Sequence, residues 1–131
     1  EPWKPLHPDF GGWIDGVVSA ALLARLIAAE GLDALRAPVT ERPYRKVDVP
    51  CPDGAKAAAM ERVERTLPEA FPAASVDTAH GVRLDRPDGS WLLARPSGTE
   101  PYLRLYAEGD AVDDLVATAR AALERAVEAA S

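Results

Sequence analysis

The chain has 131 residues, enough to bury one core, and the expectation is a single domain with an appended piece. Its formal net charge is −6 and its lysines are Lys4, Lys46 and Lys56, so it lacks the basic stripe that nucleic-acid backbones require. No apolar run reaches the roughly 18 to 20 residues that span a bilayer, no charged leader with a cleavage pattern is recognisable, and a cytoplasmic location is the expectation.

In chain order, the first predicted element is a helix from Asp15 to about Glu30, with Asp15 as N-cap and Gly31 as its stop. Its apolar residues Val17, Val18, Ala21, Leu22, Leu23, Leu26 and Ile27 cover more than one stripe, so burial on several sides is expected. Leu32 to Arg45, with Pro38 and Pro43, reads as a connector. Lys46 to Cys51 alternates polar and apolar residues and reads as a strand.

Gly54 to about Leu67 is expected to be helical, with Ala58, Met60, Val63 and Leu67 as apolar positions and Pro68 as its stop. Ser75 to Thr78 and Val82 to Arg86 read as strands, and Asp88-Gly89 marks a hairpin turn before a strand from Trp91 to Arg95. A strand from Tyr102 to Ala107 follows, and then a helix capped by Asp110, with Asp113 three residues on. That helix repeats Val112, Leu115, Val116, Ala119, Leu123 and Val127 on one face. The sum is an α+β fold, a two-layer sandwich of an antiparallel sheet and two helices, preceded by a separate helix.

Cys51 is the only cysteine, flanked by Pro50 and Pro52, and is expected to be structural. His7 and His80 stand apart with no metal-ligand spacing beside them.

The segment that speaks about chemistry is the loop between the last two strands. Arg95 offers a planar fork of donors suited to two anion oxygens, and Ser97 and Thr99 offer hydroxyls. Gly98 would let consecutive backbone N–H groups converge on one point, and Pro96 and Pro101 limit the freedom lost on binding. The same Pro-Ser-Gly-Thr is also ordinary turn chemistry, with glycine supplying a positive φ.

The run Arg95 to Pro101, followed by Leu103-Arg104-Leu105-Tyr106 and Glu108, resembles the C-terminal signature of the α-D-phosphohexomutases, the superfamily of phosphoglucomutases, phosphomannomutases and phosphoglucosamine mutases. The resemblance implies a last domain that grips the non-transferring phosphate of a hexose phosphate through Arg95, Ser97, Gly98 and Thr99. Glu100 and Arg104 also match and are expected in a supporting ion pair. The implied fold is similar to that of the TATA-box-binding protein.

At the start of the chain, Glu1-Pro2-Trp3-Lys4 followed by Asp15-Gly16 is compatible with a sugar-contacting loop and the helix after it, which would make Glu1 a sugar ligand. Trp3 stands where many members have a small polar residue. On this reading residues 1–31 are the remnant of a third domain, 32–45 a connector and 46–131 the phosphate-binding domain.

The intact enzyme implied by the resemblance uses a phosphoserine, a hexose bisphosphate intermediate and Mg²⁺, and neither a serine loop nor an aspartate cluster for the metal occurs here. The chain is therefore expected to be a piece of a longer protein and inactive alone. Its expected partners are the phosphosugar and the rest of its own chain, with self-association through residues 14–30. Two alternatives stand beside this: a noncatalytic α+β interaction module whose loop is only a turn, and a complete small phosphosugar-binding protein.

Overall fold

The computed structural model describes residues 16–130. Glu1, Trp3, His7 and Asp15, for which the sequence raises expectations, lie outside the described residues. The chain divides between Glu41 and Arg42 into two compact units.

In the first unit, helix α1 (Gly16–Glu30) ends where expected: Gly31 takes φ +83°, and its N–H bonds to Ile27 O at 2.9 Å. None of the α1 residues is buried, and Val17, Leu23 and Leu26 are exposed. The expected connector contains a short helix, α2 (Leu32–Arg36). Gly31 leaves the helical path in both dihedrals, φ +83° and ψ 150°, and the helical run resumes at Leu32.

The second unit is an open-faced sandwich. Strands β1 (Tyr44–Pro50), β2 (Ser75–Asp77), β3 (Val82–Asp85), β4 (Trp91–Pro96) and β5 (Tyr102–Glu108) form one sheet in the order β1-β5-β4-β3-β2. Every neighbouring pair is antiparallel. Helices α3 (Lys56–Thr66) and α4 (Val112–Glu128) supply the second layer.

Period-two alternation decides which residues meet the helices. On β5, Leu103, Leu105 and Ala107 are buried, as are Leu92 and Ala94 on β4, Val82 and Leu84 on β3, and Val49 on β1. They join Ala59, Val63 and Leu67 from the α3 side and Val112, Ala119, Ala122, Leu123 and Ala126 of α4 in a single core. At about 1.5 to 3 kcal/mol for each large side chain withdrawn from water, this burial is the main favourable term. Cys51 lies fully buried in it, and that burial pushes its thiol pKa up, as befits a packing residue.

Two local expectations are corrected. Ala58 is exposed and Ala59 buried, because the buried series runs Ala55, Ala59, Val63, Leu67 at four-residue steps. The run Ala57-Ala58-Ala59 gives no apolar contrast from which to read the face. Asp110 does not cap α4: the N-cap is Ala111, without a side-chain bond. Asp110 instead faces Arg42 at 3.6 Å and Asp113 faces Arg45 at 2.9 Å, so both carboxylates tie α4 to the approach of β1. The Asp88-Gly89 hairpin forms as expected, with Gly89 at φ +77° and its N–H on Arg86 O at 3.0 Å.

Candidate functional site

The side of the sheet away from the helices carries the polar series of each strand. Register places Asp48 opposite Arg104 and Arg104 opposite Arg95, so three charges stand in a row across β1, β5 and β4. Two arginines side by side repel unless neutralised. Arg104 is neutralised: it meets Asp48 at 3.0 Å and Glu100 at 3.5 Å, and its guanidinium donates to Tyr102 Oη at 2.6 Å while lying over the Tyr102 ring. Tyr102 Oη also bonds to Glu100. Glu100 and Arg104 thus form an ion pair with each other.

Arg95 has no carboxylate partner among the described residues. It spends one N–H on Tyr106 Oη at 3.1 Å, stacks 5.5 Å from the Tyr106 ring centroid, and keeps its remaining donors free. Burial raises the Tyr106 phenol, but hydrogen bonds and charge from Arg104 and Arg95 outweigh it, leaving the phenol below its ordinary pKa. The tyrosine is a hydrogen-bonded platform for the arginine.

The loop 97–101 closes the β4–β5 hairpin, with Ser97 N–H on Tyr102 O at 3.0 Å and Tyr102 N–H on Glu100 O at 2.8 Å. Among the described residues no acceptor takes the N–H of Gly98 or Thr99, and the hydroxyls of Ser97 and Thr99 have no partner. Ser97 is buried, while Gly98 and Thr99 are exposed. Arg95, Ser97, Gly98 and Thr99 therefore share the end of one hairpin, and together they offer unused donors and an unneutralised positive charge.

The positive φ that ordinary turn chemistry would give Gly98 is not found: among the described residues the positive-φ glycines are Gly31, Gly81, Gly89 and Gly109. A Cβ at Gly98 would meet nothing within 4 Å, so the glycine leaves open space in front of the loop and is not there to permit an unusual backbone. Gly98→Ala should accordingly shift unfolding free energy by no more than about 0.5 kcal/mol, the range of unremarkable surface changes. Its effect should appear in ligand titration, where a methyl group enters the space an anion would use. A large loss of stability in urea denaturation would contradict this placement.

Two residues beside the site were not singled out from the sequence. Gly81, at φ +118°, lies so close to β4 that a Cβ would stand 2.5 Å from Ala94 O and 2.8 Å from Arg95 Cβ. Lys56, the first residue of α3, donates to Ser97 O at 2.8 Å and Glu100 O at 2.6 Å, and meets Asp53 at 2.6 Å. A glycine opening a strand is a readable signal for the first. No local pattern announces the second.

Among the described residues there is no group of three or more His, Cys, Asp and Glu placed to hold a metal ion, and no helix long and apolar enough to cross a membrane. Glu1 lies outside the described residues.

An open-faced α+β sandwich that ends its central hairpin in a donor-rich loop beside an unpaired arginine is the class of domain that fold and site define. Residues 47–126 match the family model described as phosphoglucomutase/phosphomannomutase, C-terminal domain, and the chain belongs to this family. A probable phosphoglucosamine mutase of Methanothermobacter thermautotrophicus is 47% identical over 106 residues, which are 79% of this chain and 24% of that protein. A phosphopentomutase of Thermococcus kodakarensis is 45% identical over 113 residues, 82% of this chain and 25% of that protein. The chain thus spans about a quarter of the length of these relatives. The crystal structure of a phosphoglucomutase/phosphomannomutase family protein from Burkholderia thailandensis superposes with TM-score 0.64 at 24% identity, covering 91% of this chain and 24% of that one, and shares the fold.

Proposed function

We propose that this chain is the phosphate-binding C-terminal part of a phosphohexomutase, and that Arg95, Ser97, Gly98 and Thr99 hold the phosphate of the sugar that is not being transferred. The observation that carries the reading is the contrast on one sheet face: Arg83 and Arg104 are each paired with a carboxylate, and Arg95, beside the free loop amides, is not. A guanidinium and two backbone N–H groups without acceptors are donors of the kind a phosphate takes, and the arginine opposes part of its negative charge. Glu100 and Arg104 support the loop through Tyr102.

In the longer enzyme, residues 1–31 would belong to the preceding sugar-binding domain with Glu1 as a sugar ligand, 32–45 would connect, and 46–131 would form the clamp domain. A phosphoserine, a hexose bisphosphate intermediate and Mg²⁺ would act elsewhere in that enzyme, in the cytoplasm; no group among the described residues fits the metal. The chain alone would then not interconvert hexose phosphates. Relatives of similar identity are named for glucosamine and for pentose phosphates, which fits a clamp that reads phosphate and leaves the sugar to other contacts.

Titrating the chain with a hexose 6-phosphate, inorganic phosphate and the unphosphorylated hexose tests the reading. The amide resonances of Gly98 and Thr99 should move with the two phosphates and stay with the free sugar. Loop amides that ignore millimolar phosphate would leave a plain turn in an interaction module.

The exposed apolar residues of α1 motivate a separate proposal, self-association through residues 14–30. Light scattering should show a mass that falls to the monomer when residues 1–31 are removed; a monomeric whole chain would exclude it.

A further inference from the structure

Lys56 has no role in the phosphate-binding reading, yet its surroundings are unusual for a lysine. Its side chain is 13% exposed, and all three ammonium protons find acceptors, two of them carbonyls of the loop and one the carboxylate of Asp53. A lysine at the start of a helix faces the positive end of the helix dipole, and the one carboxylate it meets, Asp53, precedes α3 and is exposed. Helix formation therefore does not by itself favour a largely buried ammonium here.

The two carbonyls it binds supply one. There is no cis peptide bond in the described chain, and in a trans peptide the C=O and the following N–H point in opposite directions. Drawing Ser97 O inward onto Lys56 consequently turns the Gly98 N–H outward, where no acceptor among the described residues takes it. Holding Glu100 O at the same ammonium fixes the other end of the loop. Asp53 is 78% exposed, so water screens its charge more than that of the part-buried ammonium behind the loop.

We propose that Lys56 is the positioning residue of the clamp: it ties the Ser97 and Glu100 carbonyls together from behind, aims the Gly98 N–H at the ligand and adds positive charge without touching the phosphate. This rests on the phosphate-binding reading above.

The test uses the whole chain, hexose 6-phosphate as the probe, and the Gly98 and Thr99 amides as reporters. Lys56→Met should weaken binding at least tenfold and increase the fast motion of those two amides in ¹⁵N relaxation, with amide protection in β4 and β5 unchanged. Lys56→Arg, which keeps charge and donors, should recover most of the affinity; a purely space-filling role would be served better by methionine.

Arg95→Ala is the reference. If it abolishes binding while Lys56→Met binds like the unmodified chain, the inference about Lys56 is overturned and the clamp stands. If neither variant alters binding, the clamp reading falls and this inference with it. Should Lys56→Met fail to fold, the unmodified chain still decides: the Lys56 ¹⁵Nζ resonance should shift on titration with the same half-saturation as the Gly98 amide, and a resonance that stays fixed overturns the proposal.

Discussion

Gly81→Ala is expected to destabilise the second unit by about 3 kcal/mol. An alanine must either adopt φ +118°, which costs roughly 1 to 3 kcal/mol, or move the strand. Its methyl group would in either case press on Ala94 O and Arg95 Cβ, positions held by the β3–β4 and β4–β5 ladders, at an overpacking cost of about 1 to 3 kcal/mol. Gly89→Ala is the informative control. It too has a positive φ, but the nearest atom to its added Cβ is the tip of the flexible Arg42 side chain at 3.2 Å, so only the backbone term should appear. Urea denaturation should separate the two variants by the overpacking cost, about 1 to 3 kcal/mol, and equal effects would mean that β4 yields freely beside Gly81. Whatever shift the sheet makes to admit the methyl is delivered directly to Arg95.

Arg95→Ala should leave the fold intact and weaken hexose phosphate binding by about 2 to 3 kcal/mol, roughly 30- to 150-fold, as expected for charge-assisted bonds to a phosphate. The stacking lost over Tyr106 is part-buried and worth about 1 kcal/mol of stability. Arg95→Lys should recover only part of the affinity, because a point charge cannot reproduce the planar fork. Calorimetric titration together with circular dichroism checks both statements. Unchanged affinity in the alanine variant would remove Arg95 from the clamp.

What could be read from the residues followed their chemistry at short range. Gly31 and Asp88-Gly89 are legible because their backbone geometry demands those residues, and the strand faces are legible because Leu103, Leu105 and Ala107 alternate with polar neighbours. The loop donors were legible as a group for the same reason. Distant partners were not: Asp110 and Asp113 look like a helix start until Arg42 and Arg45, far back in the chain, claim them. Lys56 and the loop it holds are separated by more than forty positions, so no window of sequence shows them together. A loop glycine has two uses, an unusual φ or empty space, and the residues around Gly98 do not say which it serves; the fold shows empty space.

The sheet order leaves β1 and β2 as free margins, and an unpaired strand margin is a template on which another chain can grow. Margin β2 is only three residues long, too short to guide much pairing. Margin β1 is seven residues long and would be the hazard, but it carries Arg45, Lys46 and Asp48 along its length and ends in Pro50, which has no N–H to offer. A second molecule adding there would have to strip water from charges and leave a ladder bond unmade. The residues that keep this domain from polymerising through its sheet thus lie on the same strand whose Asp48 neutralises Arg104, so a substitution at Asp48 to a β-branched apolar residue would disturb the site and weaken the guard against fibril-like stacking at once.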